Sequence, residues 1–150
     1  MKKILGVIVV VSMVLGSMAF AGDKGTKTEA EALVKKAIAF YKANGKDKAF
    51  AEFSNLKGQF IDRDLYVFVY DMSGKVMAHG QNPRMVGKDL YDLADPDGKP
   101  FVKERIDIAK SKGNGWQNYK FSNPTTKKIE DKTAYIERVD DYVFGSGAYK

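Results

Sequence analysis

The residues best suited to bind a small molecule lie near the C-terminal end of the sequence. Between Gly115 and Tyr149 the chain combines Lys132 with aromatic residues, which are Trp116, Tyr119, Phe121, Tyr135, Tyr142, Phe144 and Tyr149. Aromatic walls with a few convergent polar groups are the usual form of a small-molecule site. A lysine among such rings would attract a small organic anion. The same residue types also suit the core face of an antiparallel sheet, and residue type alone leaves both interpretations open.

Other candidate polar groups for such a site are cationic or carry a hydroxyl. They are His79, Arg84 and the hydroxyls of Tyr70, Tyr119 and Tyr135. Lys132 or Arg84 could supply the charge that a desolvated carboxylate requires. Strict alternation along a strand puts Lys132 and Tyr135 on opposite faces. Either Lys132 precedes the regular strand, or a bulge intervenes, or one of the two lies outside the site. His79 could equally be a structural histidine.

The sequence offers little to a catalytic mechanism. His79 is the only histidine, cysteine is absent, and no Gly-x-Ser-x-Gly element provides a nucleophile. Asp95-Pro96-Asp97-Gly98 resembles the start of a calcium loop, but the further oxygen ligands and the closing glutamate are missing, which favours a turn. Asp89 and Asp92 are the one carboxylate pair near the expected pocket. We therefore predict that the protein is not an enzyme and uses neither a metal nor a cofactor.

The N-terminus has the three parts of a secretory signal peptide. Lys2-Lys3 is followed by an apolar segment over residues 4–15 and by the small-x-small sequence Ala19-Phe20-Ala21. Residues 1–21 would be removed after Ala21, leaving residues 22–150 as a single periplasmic domain. The alternative is an uncleaved anchor. The net charge of +6 is scattered without a basic stripe, so nucleic-acid binding is not expected.

The first half of the mature chain predicts two helices and a hairpin. Thr28 and Glu31 have the spacing of a capping box, and apolar residues recur behind them at helical spacing, so a helix should cover 28–43 before Asn44-Gly45 ends it. A short helix is expected over 47–53. Residues 65–71 predict the strongest strand, with apolar side chains on both faces, and 75–79 should return as its hairpin partner.

The second half predicts an excursion from the sheet and a return to it. Residues 81–100 are rich in Gly, Pro, Asn and Asp, with a helical turn expected near 89–93, and 101–110 should form an amphipathic helix. Strands are expected at 116–121, 132–139 and 142–149. These elements predict an α+β fold, a five-stranded antiparallel sheet with a long N-terminal helix on one face. A loop-helix roof over the ligand pocket would cover the other face.

Short segments along nearly the whole mature chain occur in the order and spacing of a known family. They are residues 45–53, 65–71, Gly74, 78–80, 82–83, 86–88, 95–101, 115–116, Tyr119, 123–124, Lys132, Tyr135 and 145–149. Together they resemble a single Cache domain of the type 2 class, which is PAS-like and carries a long N-terminal helix. The sequence departs from the family at Tyr142-Val143-Phe144, where a Trp-Gly-Trp-like run is frequent.

The resemblance implies an extracytoplasmic sensor domain for a short-chain carboxylate such as acetate, propionate, lactate or pyruvate. It implies that Trp116, Tyr119 and Tyr135 line the pocket with Lys132 as the counter-charge of the carboxylate, and that His79 and Arg84 come from the roof. The full predicted ligand-binding set is Tyr70, His79, Arg84, Phe101, Trp116, Tyr119, Lys132 and Tyr135.

Two hypotheses for function follow. In the first, the protein is a free periplasmic monomer or weak homodimer that signals through a separate membrane sensor kinase or chemoreceptor, since the sequence ends at Lys150 without a second membrane segment or an output module. In the second, it is a structural or protein-interaction module without a small-molecule ligand, and helix 28–43 pairs with a copy of itself or with a partner receptor. The lysines on the polar face of that helix, Lys35, Lys36 and Lys42, do not favour self-association.

Overall fold

A five-stranded antiparallel sheet separates two helical layers in the computed structural model, which describes residues 24–150. The helices are α1 (Lys27–Asn44), α2 (Lys46–Phe53) and α3 (Phe101–Ser111). The strands are β1 (Phe68–Asp71), β2 (Val76–His79), β3 (Asn114–Ser122), β4 (Ile129–Val139) and β5 (Tyr142–Tyr149). Their order across the sheet is β2-β1-β5-β4-β3. The predicted α+β fold with a helix on one face and a roof on the other is confirmed.

The segment leading through β1 divides its side chains between the two layers. Leu65, Val67 and Val69 pack with α1 and α2 in one core cluster, and the intervening Tyr66, Phe68 and Tyr70 belong to a second cluster with α3. This confirms the predicted two-faced strand. The ladder itself is shorter than the predicted 65–71, because residues 62 and 65 form an isolated bridge and regular pairing begins at Phe68.

The N-cap of helix α1 lies two residues earlier than predicted. Its N-cap is Thr26, whose hydroxyl accepts a hydrogen bond from the backbone N–H of Glu29, while the Glu29 carboxylate accepts from the Thr26 N–H. The predicted box at Thr28 and Glu31 is therefore wrong. Thr26 and Glu29 have the same spacing, and Arg63 forms an ion pair with Glu29 at 2.8 Å, which fixes that carboxylate at the helix start.

The roof segment between β2 and α3 contains one short helical turn. It is a 3₁₀ turn at Pro83–Met85, where the Asn82 side chain accepts a hydrogen bond from the N–H of Arg84. The predicted helical turn over 89–93 is absent: Asp89 forms an isolated bridge with Lys75, and Leu90–Leu93 is a turn closed by the hydrogen bond from Leu93 N–H to the Leu90 carbonyl. The Asp89 carboxylate accepts from the N–H of Tyr91 at the start of this turn. Proline at the first helical position favours the site that the chain uses. The predicted amphipathic helix over 101–110 is confirmed by α3.

The predicted signal peptide over residues 1–21 lies outside the described residues, and its cleavage after Ala21 stays a prediction. Among residues 24–150, no helix combines the length and the apolar character that spanning a bilayer requires.

Candidate functional site

Lys132 is buried between the sheet and the α3 layer. Its neighbours in the strand register are Tyr119 on β3 and Tyr149 on β5, and its side chain is 1% exposed. The Nζ atom lies 4.1 Å from the ring centroid of Tyr66 and 4.9 Å from that of Tyr149. Gly147 makes room for the lysine stem, since a Cβ atom there would come within 2.5 Å of Lys132 Cε. A glycine inside a strand thus marks a close approach, as its occurrence in the sequence suggested.

A chain of hydrogen bonds determines which protons near Lys132 are already donated to an acceptor. Lys132 Nζ donates to the Tyr66 hydroxyl at 2.8 Å, and the Tyr66 and Tyr149 hydroxyls are 3.2 Å apart. Tyr149 donates its proton to the backbone carbonyl of Ser122 at 2.7 Å. Tyr66 must therefore donate to Tyr149, because each hydroxyl has one proton. Both tyrosine protons are committed, whereas the ammonium keeps protons for a further acceptor.

Arg105 on α3 is the second buried cation, and it was absent from the predicted site. Its side chain is 1% exposed, and its guanidinium carbon lies 4.2 Å from the Phe68 ring and 4.8 Å from the Tyr70 ring. Nε donates to the side-chain oxygen of Gln117 at 2.9 Å, but the buried Nη2 has no hydrogen-bond partner. A buried guanidinium nitrogen without an acceptor is costly, and an anion would satisfy it.

One sequence signal could have identified Arg105. It follows Phe101 by four residues and precedes Ala109 by four, so it falls on the stripe of α3 that faces the core. A charged residue on such a stripe is rarely buried unless it has a partner or a function.

Arg105 and Lys132 lie over the same aromatic walls and define what we call the two-cation site. The Phe68 ring centroid is 4.2 Å from the Arg105 guanidinium and 5.4 Å from Lys132 Nζ. The Tyr119 ring is 5.2 and 5.8 Å from the same two groups. Burial, followed by the charge of Arg105, holds the pKa of Lys132 well below its usual value, whereas Asp64 opposes that shift. The site therefore favours an added negative charge.

Asp64 is the buried carboxylate that opposes these two positive charges. It is fully buried, Oδ1 accepts a hydrogen bond from the backbone N–H of Gly25 at 2.7 Å, and Oδ2 has no hydrogen-bond partner. With one carboxylate set against two cations, the interior carries one uncompensated positive charge when Lys132 is protonated. One monovalent anion would balance it.

His79 is buried beside the two-cation site as a neutral ring. Its Nδ1 accepts from the backbone N–H groups of Gln81 and Asn82 at 3.3 and 3.1 Å, so the neutral ring carries its proton on Nε2. Burial and then the charges of Lys132 and Arg105 lower the pKa of His79 to about 3. The ring organises the turn after β2, and it faces the site as a donor rather than a cation.

The structure brings five of the eight predicted residues together around the two cations. They are Tyr70, His79, Phe101, Tyr119 and Lys132. Burial raises the pKa of Tyr119 to about 12 and also raises that of Tyr70, so both phenols remain neutral, although the nearby Arg105 charge opposes both shifts. Residues 24–150 include no cluster of three or more His, Cys, Asp or Glu side chains that could hold a metal ion.

The other three predicted residues lie apart from the two-cation site. Trp116 and Tyr135 are paired across β3 and β4 on the α1 face, where Lys27 lies 5.2 Å from the Trp116 ring and Lys35 lies 5.3 Å from the Tyr135 ring. Strand alternation without a bulge explains this placement, because Lys132 and Tyr135 are three residues apart on β4. Arg84 is on the 3₁₀ turn of the roof, with its side chain exposed.

The sequence matches the family model described as Single Cache domain 2 over residues 4–149. It is 37% identical over 89 residues to the sensor histidine kinase MctS of Rhizobium johnstonii, covering 58% of this chain and 19% of the relative. It is 31% identical over 90 residues to the methyl-accepting chemotaxis protein McpP of Pseudomonas putida, covering 59% of this chain and 16% of the relative. This chain thus spans less than a fifth of the length of either relative.

Solved structures share the fold. A methyl-accepting chemotaxis protein from Vibrio parahaemolyticus superimposes with a TM-score of 0.73 at 26% identity, covering 82% of this chain and 87% of the other. A Cache chemosensory domain described in terms of carboxylic acid recognition superimposes with a TM-score of 0.64 at 25% identity, covering 81% and 86%. The sequence family and the fold agree along the described residues.

Proposed function

Since this chain belongs to the single Cache domain 2 family of extracytoplasmic sensor domains, we propose that it binds a small monocarboxylate at the two-cation site. The observation that carries the proposal is the pair of buried cations, one of them with an unpaired Nη2, against one fully buried carboxylate, Asp64, that acts on Lys132. A carboxylate bound between Arg105 and Lys132 would satisfy the guanidinium and neutralise the site. Acetate, propionate, lactate and pyruvate have this chemistry.

The relatives support a role in signalling without catalysis in this domain. They are a sensor histidine kinase and a chemotaxis receptor, in which the matching segment is a small part of the whole protein. We infer that carboxylate binding is communicated to a membrane kinase or chemoreceptor. The protein would act in the periplasm after removal of residues 1–21.

Substitution of either cation tests the proposal. Lys132→Met and Arg105→Met keep an apolar stem of similar length, and each should weaken carboxylate binding by roughly 2 to 4 kcal/mol, because a buried anion would lose half of its counter-charge. Calorimetric titration with acetate, propionate, lactate and pyruvate measures the change. Thermal unfolding provides a second readout, since a ligand at a hundred times its dissociation constant adds about 2.7 kcal/mol to the free energy of unfolding.

Lys35→Met is the matched control. Lys35 also lies over a tyrosine ring, but on the α1 face, half exposed and paired with Glu137. Its loss should leave carboxylate affinity unchanged. Equal affinity in the wild type, Lys132→Met and Arg105→Met would remove the two-cation site from ligand binding, and no binding of any carboxylate would favour the protein-interaction module.

A further inference from the structure

An apolar groove of about 220 Å³ opens on the surface beside the two-cation site. Its apolar lining comprises Leu93, Ala94, Pro96, Phe101, Phe121 and Ile129. Leu93 and Ile129 form its rim and are 37% and 60% exposed. Large apolar side chains exposed next to one another, rather than scattered singly, are typical of a binding groove.

The groove and the two-cation site share two walls. Phe101 lines the groove, and its ring lies 5.1 Å from the Arg105 guanidinium carbon. Phe121 lines it too, and its ring lies 5.5 Å from Lys132 Nζ. Phe121 is only partly buried, whereas Phe101 is 2% exposed. One layer of aromatic rings therefore separates the groove from both cations, and Phe121 is the more loosely held of the two.

The polar groups that line the groove already have partners. The Asp95 carboxylate accepts hydrogen bonds from the backbone N–H groups of Asp97, Lys99 and Lys120. Lys120 Nζ pairs with Asp97 at 3.0 Å. The Ser122 carbonyl accepts from Tyr149 and from the Gln81 side chain. These satisfied groups offer little to a polar or charged ligand tail, so the groove selects an apolar one.

We propose that this groove holds the aliphatic tail of a linear monocarboxylate whose carboxylate is bound by Arg105 and Lys132, with the Phe121 ring turned aside to connect the two. The proposal rests on the carboxylate-binding function proposed above and extends the ligand class beyond short acids. At about 30 Å³ for a water-sized group, the groove volume corresponds to roughly seven such groups. Tails of about four to six carbons, in acids of about five to seven carbons, would fit within this volume.

Calorimetric titration of the protein with linear carboxylates from acetate to octanoate tests the proposal. The affinity should rise about two- to fourfold for each methylene added from propionate to hexanoate, because each enters the groove, and should then level off. Hexylamine has a similar tail and a positive head, so it should not bind. A hexylamine affinity as high as the hexanoate affinity would overturn the proposal, since the site would then not distinguish a positive head group from a carboxylate.

Variants of the groove separate the tail from the head group. Ala94→Trp should fill the groove and bring the hexanoate affinity close to that of acetate, and Ile129→Ser should reduce hexanoate affinity several-fold while leaving acetate unchanged. Leu56→Ser is the matched control, because Leu56 is 58% exposed and does not line the groove. It should leave the whole series unchanged. Thermal unfolding of each variant verifies its fold.

The outcomes distinguish this proposal from the one it rests on. An affinity that is highest for acetate or propionate and falls from butanoate onward would overturn the tail groove and leave carboxylate binding intact. A chain-length rise that survives both Ala94→Trp and Ile129→Ser would also overturn it, because the tail would then lie elsewhere. No binding of any carboxylate would overturn the proposed function itself. A partner protein's apolar side chain would then be the better occupant of the groove.

Discussion

Arg105 and Lys132 place positive charge where charge is expensive. Each is 1% exposed, and the like charge of Arg105 lowers the pKa of Lys132 beyond the effect of burial. Such an arrangement costs stability in the free protein, because desolvated cations without full compensation are unfavourable. A bound anion would neutralise part of this charge, so the unfavourable free energy in the free protein would favour the binding of an anion. The carboxylate binding proposed above would account for a lysine and an arginine at these two positions.

Carboxylate binding should draw a proton to Lys132. Since the pKa of Lys132 is well below its usual value in the free protein, an adjacent carboxylate will raise it. Between the two pKa values, binding takes up a proton, and the affinity falls as the pH rises. Calorimetry over a series of pH values below the ordinary lysine pKa of 10.5, in buffers of different ionisation enthalpy, measures this uptake, which Lys132→Met should abolish. Proton release, or affinity independent of pH, would contradict the expectation.

His79 should make the free protein sensitive to mild acid. Its pKa is about 3 in the folded protein against an ordinary 6.5, so below pH 6.5 the unfolded chain binds a proton that the folded protein does not. The free energy of unfolding should fall by about 2 kcal/mol between pH 6.5 and 5. It is the only histidine in the sequence, so the signal is well isolated.

His79→Asn is the variant that tests this assignment, with urea unfolding at both pH values as the measurement. The amide oxygen of asparagine could accept the backbone hydrogen bonds that Nδ1 accepts now, without titrating. The free energy of unfolding of the variant should keep less than a third of the wild-type pH dependence, so it should be nearly flat between about pH 6.5 and 5. A slope equal to that of the wild type would assign the effect to another residue.

At the level of elements, the sequence predicted what depends on local patterns. Apolar periodicity predicted helices α1 and α3, strands β3 to β5 and the two-faced first strand. Gly45 predicted where α1 ends. Where the sequence contains the same local pattern twice, the residues next to it do not decide which copy forms the structure. Two overlapping Thr/Glu pairs near the start of the first helix have the spacing of a capping box, and only Thr26 with Glu29 forms one. Glu29 is also paired with Arg63, which is distant in sequence and which no local pattern could take into account.

The site was less predictable than the fold for the same reason. Alternation along β4 already separated Lys132 from Tyr135, and the structure agrees with alternation. Arg105 was missed because its importance depends on what α3 packs against. The rings that hold it come from β1 and β3 as well as its own helix, and no local pattern relates these positions.

The cap of α1 provides a test with an internal control. Thr26→Ala should lower the free energy of unfolding by about 1 kcal/mol, because the hydroxyl that accepts from Glu29 N–H is lost. Thr28→Ala, at the position of the alternative box, should change it by less than about 0.5 kcal/mol, because Thr28 is exposed within the helix. Urea unfolding of both variants is the measurement. The reverse order would mean that the helix begins at Thr28.

At the scale of the whole molecule, both ends of the described chain are linked to the two-cation site through Asp64. Lys24 Nζ donates to the carbonyl of Lys150 at 2.9 Å, and Gly25 N–H donates to Asp64. Asp64 in turn acts electrostatically on Lys132 and Tyr149. Lys24, Lys150, Asp64 and Lys132 are therefore connected by hydrogen bonds and charge, so a change of charge at Lys132 would be felt at Asp64 and at the hydrogen bond that Asp64 accepts from Gly25.

Asp64→Asn tests the charge balance on which this connection depends. The Asn side-chain oxygen can keep the hydrogen bond from Gly25, so the change removes one negative charge with little change in shape. The free protein should lose stability, because Arg105 and Lys132 then face each other without a counter-charge. Its affinity for acetate should rise several-fold, because the ligand no longer competes with a buried carboxylate.

A dicarboxylate provides a second test, because its binding depends more strongly than that of acetate on the net positive charge of the interior. With Asp64 present, the interior balances one anion, and succinate should bind more weakly than acetate. In Asp64→Asn the uncompensated charge of the interior becomes two when ligand binding protonates Lys132, so the ratio of succinate affinity to acetate affinity should be higher in the variant than in the wild type. Calorimetric titration of both ligands against both proteins measures the ratio. An unchanged ratio would mean that Asp64 is screened from the ligand, and that the site selects carboxylates by the local contacts of Arg105 and Lys132 alone.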